Sequence, residues 1–461
     1  MKPLPCILSL LISASVALPA LAATPAADAR LPAAWHEPLP HGGEIAVLNQ
    51  WWSQFDDPLL SRLIDAAQGA SPNLASATSR IAQAQANRTK AGAALLPSLD
   101  GSISASRGRT ELGQPLATST SHGLQMAWEI DLFGGGRAGA RAAQARLEAA
   151  QAGWHEARVA VAAEVATSYV GLRACEARLV QTEIDVASRE ETSRLTGLSA
   201  QHGLQSPGSA ALARASAAQG RAGATAQRAQ CASLVKALVA LTASDEASLR
   251  AELAASTARL PSPAQFAVDS VPARALAQRP DLYGAERDLV AAGAEWTQSK
   301  AQSWPRLMLQ GNFGGMRAES AMGSTSGSIW SFGPISLVLP IFDGGQRRAN
   351  TKAAEARYEE AGAAYRAKLR TAVREVEEAL VSLRSAAERA EDARAAAGGF
   401  RISLQAADAR YRGGLASLFE LEDARRSDVQ AQTALIDLQQ ERIAAWIALY
   451  RALGGGWEPT A

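Results

Sequence analysis

Hydrophobic and polar positions alternate along three stretches of the chain, and a fourth is apolar on one face. Leu124, Met126, Trp128 and Ile130 alternate with Gln125, Ala127, Glu129 and Asp131. Leu99, Gly101, Ile103 and Ala105 alternate with Asp100, Ser102 and Ser104. Leu307, Leu309, Gly311 and Phe313 alternate with Met308, Gln310, Asn312 and Gly314, while Ile335, Leu337, Leu339 and Ile341 form one face of a fourth run. Period two predicts strands with one apolar face. Each run is about ten residues, the length of a tilted membrane-crossing strand. Gly/Ser/Thr-rich segments, 107–119 and 317–328, are expected to be the loops joining each pair. Soluble hairpins would show the same alternation, so the strands alone leave both readings open.

Between the strand pairs the pattern changes. Proline is excluded from helix interiors, and none occurs from Pro115 to Pro207 or from Pro340 to Pro459. These gaps are rich in Ala, Arg, Glu, Gln and Leu, the strong helix formers. Helices are predicted over 137–202 and 346–412, spans of 66 and 67 residues. At 1.5 Å per residue each is roughly 100 Å long. Such lengths are rare in ordinary globular domains. Charges along their whole length point to side-by-side or coiled-coil packing.

The pattern occurs twice. Pro72, Pro97, Gly134 and Gly203 are separated by 25, 37 and 69 residues; Pro280, Pro305, Gly344 and Gly414 by 25, 39 and 70. "SPNL" at 71–74 answers "RPDL" at 279–282, and "HGLQS" at 202–206 answers "GGLAS" at 413–417. The steps describe a tandem duplication, each unit being helix, two strands, long helix, tight turn and long return helix. The division expected is a signal peptide over 1–22, an N-terminal segment over 23–56, a first repeat over 57–245, a linker over 246–271, a second repeat over 272–454 and a tail over 455–461. Hairpin tips fall at Gly203–Pro207 and Gly413–Gly414, and strand-to-helix junctions at Gly134, Gly135 and Gly136 and at Gly344 and Gly345.

Residues 1–22 have a basic n-region at Lys2, a short apolar core and a small-residue cleavage pattern ending at Ala22, which read as a secretory signal. Without them the chain has 45 basic and 45 acidic residues, a balance that gives no support to nucleic-acid binding. No apolar run after the signal is long enough for a transmembrane helix, so a membrane role falls to the strands. The signal leads to an oxidising compartment, and Cys175 and Cys231 remain in the exported chain. Each is 28 residues from Gly203. Equal arms of an antiparallel hairpin bring them to one height, where a disulfide is expected.

Catalytic and cofactor sites fare poorly. "GGGRAG" at 134–139 fits a dinucleotide fingerprint, but the following helix runs far past the point where the next strand is required. The five histidines lie in no metal-ligand spacing. Ser233 and Lys236 form a bare S-x-x-K inside a helix, without companion motifs. No enzyme activity and no cofactor are expected. Four strands settle the architecture, because an open sheet leaves its edges unpaired in lipid. One chain cannot close a barrel, so several must share one. Two chains would give eight strands and a filled interior; three would give twelve and begin to leave a channel.

Five motifs together resemble the outer-membrane factor family, the TolC/OprM-like channels of tripartite efflux systems. They are "WWSQFDDPLLSRLI" at 51–64, "EIDLFGGGR" at 129–137, "RPDLYGAERDL" at 279–289, "LPIFDGGQRR" at 339–348 and "RYRGGLASLFELEDARR" at 410–426. The resemblance covers nearly all of the exported chain. It implies an α+β membrane protein, a homotrimer with a 12-stranded β-barrel continued by a long periplasmic α-helical barrel, with an equatorial domain at its waist to which 23–56 and 246–271 would belong as an equatorial segment and an equatorial linker. The implied partners are a periplasmic adaptor and an inner-membrane transporter. It also implies a gate at the periplasmic tip, whose positions here are Phe419, Asp423 and Arg426. Many OprM-like members carry a lipidated cysteine; none occurs near this cleavage site, so anchoring is expected to rest on the barrel. The competing expectation is a periplasmic coiled-coil scaffold or adaptor without a channel.

Overall fold

The computed structural model describes residues 51–109, 115–261, 276 and 279–457. The expected signal segment, residues 23–50, the later part of the linker and the last four residues lie outside the described residues.

Two short helices, α1 (Pro58–Ala70) and α2 (Pro72–Ala93), lead into strands β1 (Ser98–Gly108) and β2 (Ala117–Ile130). Helix α3 (Gly135–Gln201) runs for 67 residues, turns, and returns as α4 (Pro207–Thr242). After α5 (Glu246–Ala254), the second repeat supplies α6 (Pro280–Ala301), β3 (Arg306–Ser320), β4 (Gly323–Val338), α7 (Gln346–Arg412) and α8 (Leu418–Ala452). Asp57, Ser71, Asp245 and Ser417 cap helices by accepting backbone amides, and Pro follows the cap in α1 and α2.

The strands form one antiparallel sheet in the order β1-β2-β3-β4. Directly opposed residues share a face, so the register assembles whole rows. Leu99, Met126, Gly311 and Phe332 form one row, and Gly101, Leu124, Phe313 and Trp330 the next. On the reverse face Asp100, Gln125, Asn312 and Ser331 line up, with Ser331 Oγ donating to Asn312 Oδ1 at 3.0 Å. One face is therefore an apolar band and the other polar. Above the band both faces are polar, as in the row Arg107, Thr118, Glu319 and Ser324.

Three expectations are corrected. The strands are 11, 14, 15 and 16 residues long rather than about ten. Segment 317–328 is not a loop: β3 and β4 continue through it to a turn at Ala321 and Met322. Its Gly, Ser and Thr mark strand that meets water on both faces, where no apolar alternation is required. The alternation in β4 also breaks. Leu309 opposes Ile335 but Gly311 opposes Phe332, so Gly333 and Pro334 bulge out of the ladder, where a residue without an N–H is tolerated. The bulge puts Trp330 and Phe332 on the same face as Ile335 and Leu337, while Leu339 and Ile341 lie past the strand's end.

Among the helices, α3 packs against α2, α4, α6 and α8, and α7 against α6 and α8. Alanine fills these contacts: Ala138, Ala142, Ala145, Ala152, Ala162 and Ala166 of α3 are all buried. Small side chains let long helices run close together without a wide apolar stripe. Two buried arginines tie the ends of the repeats. Arg173 donates to the Leu253 carbonyl at 3.0 Å and to Tyr169 Oη at 3.1 Å, and the Tyr169 hydroxyl donates to Asp57 at 2.6 Å. Arg279 donates to the Ala452 carbonyl at 2.9 Å, to Asp281 at 2.8 Å and to Glu375 at 2.8 Å. The sulfurs of Cys175 and Cys231 are bonded, with Cα atoms 5.6 Å apart, bridging α3 and α4.

Candidate functional site

Two places carry the chemistry of the fold: the junctions where strands become helices, and the far tips of the helical hairpins. At the first junction Gly134 has φ +78° and caps α3, a left-handed conformation that glycine adopts without a side-chain penalty. At the second, Gly345 has φ +92° and caps α7. Gly345, not Gly344, is thus the counterpart of Gly134, and both tip glycines follow their cap by 69 residues. Gly135 and Gly136 open α3 itself, and a Cβ on Gly136 would meet Leu95 at 2.7 Å.

Each junction holds an acid against the helix start. Asp131 accepts the Arg137 amide at 2.9 Å and its Nε at 3.3 Å. Asp343 accepts the amides of Gly345 at 3.0 Å and Arg347 at 2.8 Å. Burial pulls the Asp131 carboxyl upward, but the amides of Arg137 and Gly136 and the Arg137 guanidinium outweigh it and hold it below its ordinary value. The Arg347 amide does the same for Asp343. Carboxylates at helix N-termini are favoured by the unpaired amides and the dipole.

The tips are built alike. Leu204 N–H donates to the Ser199 carbonyl at 2.8 Å, Leu415 N–H to the Arg410 carbonyl at 2.8 Å, and Gly203 and Gly414 carry φ +76° and +72°. These are glycine C-caps of the Schellman kind. Ser206 Oγ then caps α4, with Pro207 at its first position, and Ser417 Oγ caps α8. Leu204 and Leu415 stand 79% and 77% exposed at the two tips.

Just above the second tip, α8 divides into two faces. Phe419, Asp423 and Arg426 lie within one stripe; Phe419 is 74% exposed, and Asp423 is paired with Arg426. The opposite stripe, Leu418, Leu421, Arg425 and Asp428, is buried. Arg425 donates to Ser188 Oγ at 2.9 Å and Thr192 Oγ1 at 3.0 Å of α3, and pairs with Glu422. Glu422 also accepts Arg189 Nη1 at 3.0 Å and the Ser216 hydroxyl of α4 at 2.7 Å. The Tyr411 hydroxyl lies 2.6 Å from Thr196 Oγ1. This latch of α3, α4, α7 and α8 escaped the sequence analysis, which fixed on the acid–arginine pair one residue further along. The signal was present: Leu418, Leu421, Arg425 and Asp428 recur at helical spacing, so Arg425 had to point inward. Burial pulls the Arg425 guanidinium down, and Glu422 and Asp185 pull against it.

Among the described residues there is no cluster able to hold a metal ion and no helix long and apolar enough to cross a membrane. Residues 63–244 and 271–455 match the family model described as outer membrane efflux protein. The chain is 31% identical to the pyoverdine export outer membrane protein OpmQ of Pseudomonas putida, over 99% of this chain and 97% of that one. It is 32% identical to the outer membrane protein OprJ of Pseudomonas aeruginosa, over 90% and 88%. The solved outer-membrane channel OprN superposes with a TM-score of 0.82 at 26% identity, over 94% of this chain and 98% of that one. The family model matches both halves of the duplication, each with its pair of strands and its 67-residue helix, and the chain belongs to the outer membrane efflux protein family.

Proposed function

We propose that three copies of this chain form the exit duct of a tripartite efflux pump, through which small molecules cross the outer membrane passively. The observation that carries this reading is the sheet. Its rows end at β1 and β4, whose outer edges have no partner among the described residues, and its apolar face carries exposed Leu99, Ile103, Phe313, Trp330 and Phe332. An apolar face suits lipid, but open edges do not. Pairing β1 of one copy with β4 of the next resolves both, and three copies make a 12-stranded barrel wide enough for a lumen. The polar rows then line the waterway. The helices continue the tube.

The exposed tip leucines suit docking by a periplasmic adaptor that links the duct to an inner-membrane transporter. OpmQ's name supports a small organic cargo. Phe419, Asp423 and Arg426 share the exposed stripe of α8, which packs on no other element among the described residues, and this supports a gate there. An exposed ion pair is worth about 0–1 kcal/mol. Three acting together supply up to about 3 kcal/mol, roughly a hundredfold in the closed-to-open ratio and within reach of a docking partner. The test is a mass measurement followed by planar-bilayer recording. A trimer is expected, with Asp423→Ala and Phe419→Ala each raising conductance or open probability and the double change exceeding either. A monomer that does not insert sinks the duct. Variants that conduct like wild type move the gate to the first tip, around His202–Ser206.

A further inference from the structure

Below the sheet, α2 and α6 flank the first turns of α3 and leave a cleft of about 540 Å³, within the range of small-molecule sites. Its floor is α3 at Gly139 and Ala143, side chains too small to fill it. Three carboxamides line the walls: Gln83 and Asn87 from α2 and Gln298 from α6. Two arginines reach the cleft. Arg146 is spoken for by Glu295. Arg80 makes no hydrogen bond or ion pair among the described residues.

The cleft has a definite side. Gly139, Ala143 and Arg146 recur on one face of α3. Glu148, which meets Arg287 at 3.5 Å, and His155, against Trp457, lie on the opposite face. Trp457 also packs on Tyr283, near the layer where the chain's described ends meet; on the duct reading that layer lies outside the tube, which turns the cleft to the lumen. The duplication sharpens its chemistry. Arg80 is the ninth residue of α2, and the ninth residue of α6 is Asp288. The two halves therefore differ in sign at this position.

We infer that Arg80 and the three carboxamides form a transit site for organic anions bearing a carboxylate or sulfonate. The guanidinium matches a two-oxygen anion in a fork, and the carboxamides can both donate to and accept from the hydroxyl or amide groups of the remaining molecule. The lumenal placement rests on the duct reading; the cleft itself lies within one chain.

The probes are fluorescein and rhodamine 123, which share a ring system but differ in charge, each titrated by fluorescence anisotropy into the full-length protein in detergent. Fluorescein is expected to bind more tightly than rhodamine 123. Arg80→Ala should weaken fluorescein about tenfold, the loss of one charge-assisted contact. Arg80→Asp should reverse the preference, and Ala143→Leu, which fills the floor without changing charge, should weaken fluorescein to a similar degree. No fluorescein binding, or binding indifferent to Arg80→Asp and Ala143→Leu, overturns the site. Mass and conductance of the same sample separate the two readings: a conducting trimer that fails the dye test sinks the site alone, whereas a monomer that binds dye sinks the duct and leaves the cleft.

Discussion

The hydroxyls of Tyr411 and Thr196, 2.6 Å apart, join the foot of α7 to the foot of α3 directly above the second tip. One intramolecular hydrogen bond is worth about 1 kcal/mol, and three copies about 3 kcal/mol. Tyr411→Phe should therefore raise the open probability of the reconstituted channel by up to about a hundredfold. Arg425→Met should act the same way and also lower the melting temperature, because it leaves Arg189 alone against the enclosed carboxylates of Glu422 and Asp185. Bilayer recordings that match wild type for both variants would remove the latch from gating.

The rows of the sheet rank two neighbouring substitutions. Met126 lies in the apolar row with Leu99 and Phe332, and Gln125 in the polar row with Asp100 and Asn312. A cation facing lipid near mid-membrane costs about 2–4 kcal/mol, repeated in every copy. Met126→Arg should abolish heat-modifiable assembly on gels while Gln125→Arg assembles normally. The reverse order would show that the faces are exchanged.

Protein exported to the periplasm should resist alkylation at Cys175 and Cys231 until it is reduced. The closed loop spans 56 residues, for which the chain-entropy model gives about 4 kcal/mol. Cys175→Ser should lower the melting temperature by several degrees. Two freely alkylated thiols in mass-mapped, unreduced protein would dismiss the staple.

Acid should loosen the junctions. Asp131 and Asp343 titrate below their ordinary value of 3.8 in the folded chain, so the unfolded chain binds protons first as pH falls. Their contribution is complete above that value and disappears as pH drops through the lower folded one. The melting temperature of wild type should exceed that of the Asp131→Asn, Asp343→Asn variant at neutral pH, and the gap should close below pH 3.8. A gap that persists in strong acid would assign the effect to something other than charge.

The long helices were legible because their punctuation is chemical. A predicted start at Gln346 and end at Arg412 are the observed bounds of α7, set by the glycines on either side and by the absence of proline within. The bulge at Gly333–Pro334 was not legible, since a parity change in β4 is visible only against its partner strand. The polar extension of the hairpin read as loop because period two signals burial on one face, and those residues are buried on neither. At the tip, the exposed stripe of Phe419, Asp423 and Arg426 was readable from motif resemblance. The latch needed α3 and α4 alongside, since Ser188 and Ser216 carry no sequence mark of their partners.

The outer edges of β1 and β4, unpaired among the described residues, also bear on genetics. If each chain completes its neighbours' sheet, a variant that folds but seals badly is built into mixed tubes rather than discarded. With equal amounts of variant and wild-type chain, only about one trimer in eight is free of the variant. A leaky allele such as Phe419→Ala should then be dominant in a merodiploid strain, whereas one that prevents sheet formation, such as Met126→Arg, should be recessive.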